Sequence, residues 1–373
     1  MFLRKLSLLN FKNYSDISLE FSESVNCLAG NNGSGKTNIL DAVHYLALCK
    51  SYFNASDSQH IRQGEHMFVI QGDFTINGLE ETIFCGLKAG QKKVFKRNQK
   101  EYEKLSEHIG LLPVVVVAPV DQEIITGGSD ERRKFLDSII SQTDKEYLQV
   151  LIRYNKVLAQ RNAMLKQMAA QRFTDHASLE IWDEQLVPLG EKIHLKRKEF
   201  CSRFTVLLEA IYEKLGGTQE PVEMAYVSDL SEGDFAASLR NSFSRDAAIQ
   251  YTSAGTHKDE LVFMINGLGA KKFASQGQQK TFVVALKIAQ YEMMRTIKNT
   301  KPILMLDDIF DKLDELRVAR LMSLVAGDEF GQIFITDTHP ERVAEIFSKI
   351  GMPVKKFLIE NGLVESEMAE IQD

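Results

Sequence analysis

The chain has 373 residues, 44% hydrophobic and 26% charged, enough for two to three domains with sizeable cores. Its 45 basic and 51 acidic residues leave a net charge of −6, which argues against a uniformly basic nucleic-acid coat but leaves local patches open. Four scattered cysteines, Cys27, Cys49, Cys85 and Cys201, form no CxxC pair, disfavouring zinc ribbons, thioredoxin chemistry and a disulfide framework.

No apolar run approaches membrane-spanning length, and MFLRKLSLLNFKNY lacks the apolar core of a signal peptide, so a cytoplasmic location is expected. Residues 3–21 read as two alternating strands joined by a turn at Lys12-Asn13-Tyr14. Ser24–Ala29 reads as a further strand, followed by a glycine-rich loop and a helix to Leu48. Residues 67–97 look like hairpins, with Asn77-Gly78 as a turn, and Val114–Val117 as a strand buried on both faces. From about 131 to 215 glycine is reduced to Gly190 and apolar residues recur at helical spacing. This predicts a helical insertion, broken near Thr174 and at Pro188-Leu189-Gly190. Strands at Leu261–Ile265, Ile303–Leu306, Ile333–Thr336 and Val354–Ile359 and a long helix at Gln276–Ile297 complete the chain, with a frayed acidic end. The expected fold class is α/β. One such domain is expected to span 1–130 and 216–373, split by a helical arm at 131–215.

Gly30-Asn31-Asn32-Gly33-Ser34-Gly35-Lys36-Thr37 matches G-x-x-x-x-G-K-[ST]. Glycines let successive N–H groups turn inward on phosphate oxygens, and the following helix adds its positive end. Lys36 would reach the β and γ phosphates of ATP, and the Thr37 hydroxyl would hold Mg²⁺. The apolar strand before Asp307-Asp308 supplies a second metal ligand, Asp307, and places Asp308 to orient or deprotonate an attacking water. Lys36 and Asp307 lie 271 positions apart and no N-K-x-D motif is present, which sets aside GTPases and points to an ABC-type head.

Such a head predicts a third element. Ser275-Gln276-Gly277-Gln278 opens a helix 32 residues before Asp307, and Ser275, Gly277 and Gln278 could form a second anion site on ATP held by another subunit. Alone, the segment would read equally well as a polar helix cap. Asp311-Lys312-Leu313-Asp314 occupies the position of a loop at the dimer seam. His339, 32 residues past Asp307, is either a γ-phosphate switch or a helix cap, and Gln122 is a weaker candidate for sensing metal and water.

NFKNY, GNNGSGKTNILDAVHYL, APVDQ, ERRKFLD, YNKVLAQRN, GTHKDEL, SQGQQK and LDDIFDKLDELR, in that order, resemble the RecF family of recombination-repair proteins. The resemblance implies an ABC-type ATPase with a short helical arm and ATP-dependent dimerisation on DNA. It also implies slow hydrolysis and a role with RecO and RecR in helping RecA load at gapped DNA. It extends nucleotide contact to Lys12 and Asn13 in NFKNY. Two departures stand out. Where the family usually carries an Arg after a Ser-His or similar pair, this chain has Ser51-Tyr52-Phe53, with Lys50 or Arg62 as possible substitutes. The second acid is Asp308 rather than the Glu common in transporters, one methylene shorter, which predicts slow turnover.

Two segments are locally basic. Residues 88–104 hold Lys88, Lys92, Lys93, Lys96, Arg97, Lys100 and Lys104, and residues 151–172 hold Arg153, Lys156, Arg161, Lys166 and Arg172. Either could meet duplex phosphates or be a solvated face, and Lys258 in GTHKDEL is a further candidate. The alternatives are an ABC-type ATPase acting on a protein partner, an ATPase-linked nuclease, for which the 65 residues after Asp308 are too few, and a nucleotide-binding scaffold without hydrolysis.

Overall fold

The computed structural model describes residues 1–54, 56–173, 175–216, 220–231, 233–310, 313–349, 351–360 and 362–368. The strands are β1 (Phe2–Phe11), β2 (Tyr14–Glu20), β3 (Val25–Ala29), β4 (Met67–Ile76), β5 (Leu79–Lys88), β6 (Val94–Arg97), β7 (Lys100–Glu101), β8 (Val114–Val117), β9 (Val222–Val227), β10 (Glu260–Ile265), β11 (Leu268–Gly269), β12 (Ile303–Leu306), β13 (Ile333–Asp337), β14 (Val354–Glu360) and β15 (Leu363–Met368). The helices are α1 (Lys36–Leu48), α2 (Glu123–Thr126), α3 (Ser129–Thr143), α4 (Lys145–Gln171), α5 (His176–Lys214), α6 (Phe235–Ile249), α7 (Ala270–Phe273), α8 (Gln276–Lys298), α9 (Glu315–Val325) and α10 (Pro340–Ser348).

The chain divides into two compact units. The first comprises residues 1–122, 211–218 and 276–373. It holds an antiparallel sheet in the order β2-β1-β4-β5-β6-β7 and a second sheet in the order β15-β14-β3-β13-β12-β8. In the second sheet β14, β3, β13, β12 and β8 are mutually parallel, and β3, β13, β12 and β8 are buried at every residue. Helix α1 touches β4 and β5 of one sheet and β8 and β13 of the other. It is buried on every side from Ile39 to Cys49, as its nearly uninterrupted apolar sequence requires.

The second unit comprises residues 123–210 and 219–275. It therefore differs from the expected arm at 131–215: residues 219–275 belong with the helices. Buried ion pairs explain why. Arg161 on α4 is fully buried and bonds Asp183 on α5 at 2.5 Å and Asp246 on α6 at 2.8 Å. Arg197 on α5 reaches Asp137 on α3 and Asp259 just before β10.

The structure corrects several expectations. Helix α5 runs unbroken through Pro188-Leu189-Gly190. Pro188 is exposed, so water can satisfy the carbonyl that loses its donor. A Cβ on Gly190 would lie 2.5 Å from Phe235, so this glycine serves close packing rather than a break. Thr174 lies outside the described residues. The break expected there is nevertheless present, since α4 ends at Gln171 with Arg172 as its left-handed C-cap and α5 begins at His176. The helical region is interrupted a second time at Asp144, whose carboxylate caps α4 by accepting from Tyr147 N–H at 2.9 Å. Helix α6, capped by Asp234, was not expected, and Leu363–Met368 form a strand paired with β14, while the acidic end at 369–373 lies outside the described residues.

The basic segments are also thinner than they looked. Lys93 bonds Asp57 and the Cys49 carbonyl, Arg97 is forked onto Glu81, and Arg161 is interior. Lys88, Lys92, Lys100 and Lys104 in the first segment, and Arg153, Lys156, Lys166 and Arg172 in the second, remain exposed.

Removing Arg161 would strand the buried Asp246 carboxylate. Arg161→Met should therefore cost about 3–5 kcal/mol of unfolding free energy in urea denaturation. A loss under about 1 kcal/mol would show that Ser242, Ser253 and solvent satisfy Asp246 without it.

Candidate nucleotide-binding site

Strand β3 is buried at every residue and paired in parallel with β13 and β14, so its end is fixed where the chain turns into the loop 30–37. Two positions require glycine. Gly30 has φ +152°, and a Cβ there would stand 2.3 Å from the Ile359 carbonyl oxygen. Gly35 has φ +118°, and its Cβ would meet the Asn13 amide at 2.4 Å and the Tyr14 hydroxyl at 2.7 Å. Asn13 clasps the loop from the first sheet: its Nδ2 donates to the Ser34 carbonyl at 2.9 Å, and its Oδ1 accepts from Asn38 at 2.7 Å. Asn31, Asn32 and Gly33 are exposed at the loop crest, and the buried Ser34 hydroxyl has no hydrogen-bond partner.

Lys36 opens α1 and turns its ammonium back over the loop, donating to the Gly30 carbonyl at 2.6 Å and the Asn31 carbonyl at 3.0 Å. Burial lowers its pKa, while Asp308, Asp307 and Asp337 pull the other way. The loop thus keeps a cation whose present partners are two carbonyl dipoles, a weaker match than phosphate oxygens.

Asp307 follows β12 and is buried. Its carboxylate accepts from Thr37 Oγ1 at 3.0 and 3.1 Å and from Thr336 Oγ1 at 2.8 Å. Burial raises its pKa, opposed by these two threonines, and the neighbouring Asp308 raises it further. A hydroxyl and a buried carboxylate in contact, both hard oxygen donors with excess negative charge, fit a Mg²⁺ ion. Asp308 has φ +51°, and its N–H donates to the same Thr336 hydroxyl at 2.9 Å. Thr336, at the end of β13, therefore holds both acids. Sequence reasoning missed it, because a hydroxyl at a strand end carries no spacing signature.

The remaining candidates divide. Gln122 donates to Gln279 on α8 at 3.0 Å. Exposed His339 stands at the N-terminal boundary of α10 without a side-chain bond to that helix, its Nδ1 2.9 Å from Thr338 Oγ1 and its N–H on Asp337, which Arg342 also clamps. Ser275 is exposed just before α8, and Gly277 and Gln278 lie in the first turn of that helix. The ammonium of Lys12 is paired with Asp41 at 2.6 Å and lies over the Phe11 and Phe53 rings. Asp311 and Lys312 lie outside the described residues, while Asp314 caps α9.

A family model described as the RecF/RecN/SMC N terminal domain matches residues 2–357. The DNA replication and repair protein RecF of Flavobacterium johnsoniae is 48% identical over 357 residues, covering 96% of this chain and 99% of that protein. The protein of the same name from Phocaeicola vulgatus is 48% identical over 374 residues, covering 99% and 100%. Among solved structures, that of the recombination mediator protein RecF-ATP in the RecFOR pathway matches with a TM-score of 0.89 at 29% identity, covering 98% of this chain and 97% of that one. The Smc head domain of Pyrococcus furiosus matches with a TM-score of 0.59 at 16% identity, covering 99% and 96%, a likeness of fold. The fold is accordingly an α/β ABC-type ATPase head.

The raised pKa of Asp307 sets a sign. Above the ordinary carboxylate range its charge works against the folded state, and acid relieves that cost as pH falls through the raised value. Without nucleotide or metal at pH 7, Asp307→Asn should melt about 2–4 °C above the parent protein. It should also lose the further rise caused by Mg²⁺ and ATP. A variant that melts lower, or still responds fully, would contradict this assignment.

Proposed function

Because this chain belongs to the RecF family, we propose that it is an ATP-dependent DNA-binding protein of replication and recombinational repair, switched by slow ATP hydrolysis. The observation that carries the reading is the Thr37–Asp307–Thr336 cluster set beside a glycine-shaped phosphate loop. It supplies a metal-binding pair and a second acid at one end of one parallel sheet.

In this reading the loop residues Gly30, Asn31, Asn32, Gly33, Ser34 and Gly35 offer N–H groups to phosphate oxygens, and Lys36 exchanges its two carbonyls for them. Asn13 keeps the loop curled through Ser34. Thr37 and Asp307 would hold Mg²⁺, which would supply charge neutralisation for the phosphates. Asp308, fixed by its backbone bond to Thr336, orients or deprotonates the water, with Gln122 and His339 beside the γ-phosphate. The short reach of an aspartate at this point suits a timer better than a fast enzyme. Ser275, Gly277 and Gln278 complete the site of a second copy, so ATP closes a homodimer, and duplex DNA is held by the pair through backbone phosphates. The RecFOR pathway named for the solved relative supports partners of the RecO and RecR type, and RecA loading as the outcome and a cytoplasmic setting belong to the same reading.

The discriminating measurement is sedimentation and duplex-DNA affinity with and without ATP. Asp308→Asn should accumulate as an ATP-bound dimer on DNA and hydrolyse at least about a hundredfold more slowly. Lys36→Arg should bind nucleotide weakly and fail to cycle. An ATP-dependent dimer with no affinity for duplex DNA would favour the protein-partner reading, and normal hydrolysis by Asp308→Asn would place the water elsewhere.

A further inference from the structure

A buried polar cluster lies beside the helix that begins at Gln276, and none of its members has a part in the chemistry described above. Lys287, mid-way along α8, is 5% exposed at its side chain and Asp121 is 4% exposed. The Lys287 ammonium donates to the Tyr52 hydroxyl at 2.9 Å, lies 3.0 Å from Asp121 Oδ1, and sits 5.3 Å from the centre of the Tyr52 ring. The Tyr52 hydroxyl donates a hydrogen bond to the same Oδ1, and burial holds its pKa well above the ordinary value, so it stays protonated. Asp121 Oδ2 accepts from Ala118 N–H at 2.7 Å, which closes the turn Pro119–Gln122.

The cluster reaches in two directions. The next residue, Gln122, bonds Gln279, so α8 holds this turn at two points, through Gln279 and through Lys287. On the other side Tyr52 N–H donates to Asp41 Oδ1 at 2.7 Å, and Asp41 Oδ2 takes Ser51 Oγ at 2.7 Å and Lys12 at 2.6 Å. Asp41 lies five residues beyond Lys36 on α1, and Lys12 precedes the Asn13 that clasps the phosphate loop. A buried ion pair is weak as a source of stability, since desolvation offsets most of its attraction. What three mutually bonded groups do supply is fixed relative position.

We propose that Tyr52, acting through the Asp121–Lys287 pair, is a positioning residue for ATP hydrolysis: it sets Gln122 and the first turns of α8 against the phosphate-loop helix. The proposal rests on the ATPase reading above. It also gives Ser51-Tyr52-Phe53 a role of its own: the cation that meets this segment from α8 is Lys287.

Tyr52→Phe deletes one hydroxyl and keeps the ring. It should lower kcat for ATP about tenfold while KM for ATP stays within about twofold, because the phosphate loop is untouched. Combined with Gln122→Ala, it should add almost nothing to the loss caused by Gln122→Ala alone. Lys287→Arg should retain more activity than Lys287→Met. The latter strands Asp121 and can fail to fold, so Tyr52→Phe carries the test. Two outcomes would overturn the proposal: an unchanged kcat, or losses from Tyr52→Phe and Gln122→Ala that multiply independently. A parent protein that binds ATP with no hydrolysis would overturn the ATPase reading instead, and any hydrolytic role of Tyr52 with it.

Discussion

The carboxylate of Asp307 is the constraint on which the head is built. It is buried at the end of β12, where a lone negative charge is unfavourable, and hydroxyls from two other elements meet it: Thr37 from the start of α1 and Thr336 from the end of β13. Those three residues come from segments about 270 and 30 positions apart in the chain, brought together by parallel pairing of β12 with β13 and β13 with β3. The register of this sheet is thus also the register of the metal-binding pair. Thr336 extends the arrangement to Asp308 through the backbone, so displacement of β13 would move both acids together.

Much of this was legible in the sequence because the physics there is local. A phosphate loop needs left-handed backbone at set positions, and glycine is the residue that tolerates it; Gly30 and Gly35 are shown here to have no room for a side chain. A four-residue apolar run ending in acids reads as a buried parallel strand because both its faces must be covered. The opposite holds for Thr336, Tyr52 and Lys287. Their partners lie 29, 69 and 235 positions away, and none has a neighbour whose spacing signals the contact.

The misreadings have physical causes too. Pro188 removes one backbone donor, but a helix packed along its length tolerates that when the orphaned carbonyl faces water. Arg161 was counted in a locally basic segment because sequence charge carries no depth, whereas the fold uses it to join α4, α5 and α6 from within. Lys93 and Arg97 are likewise occupied by Asp57 and Glu81. Local net charge in a sequence is therefore an upper limit on the charge available to a polyanion.

The pairing order of the parallel sheet bears on the birth of the molecule. Strand β3 is interior, flanked by β13 and β14, yet Ile333 lies 304 positions beyond Ala29. At a ribosomal rate of about 5–20 residues per second, β3 waits roughly 15–60 s with both edges open before either neighbour is made. The second unit, drawn from residues 123–275, is complete well within that interval. The nascent chain therefore carries a finished arm while a strand buried at every residue in the fold still lacks both partners, which makes this interval a point of exposure to aggregation and a natural moment for chaperone capture.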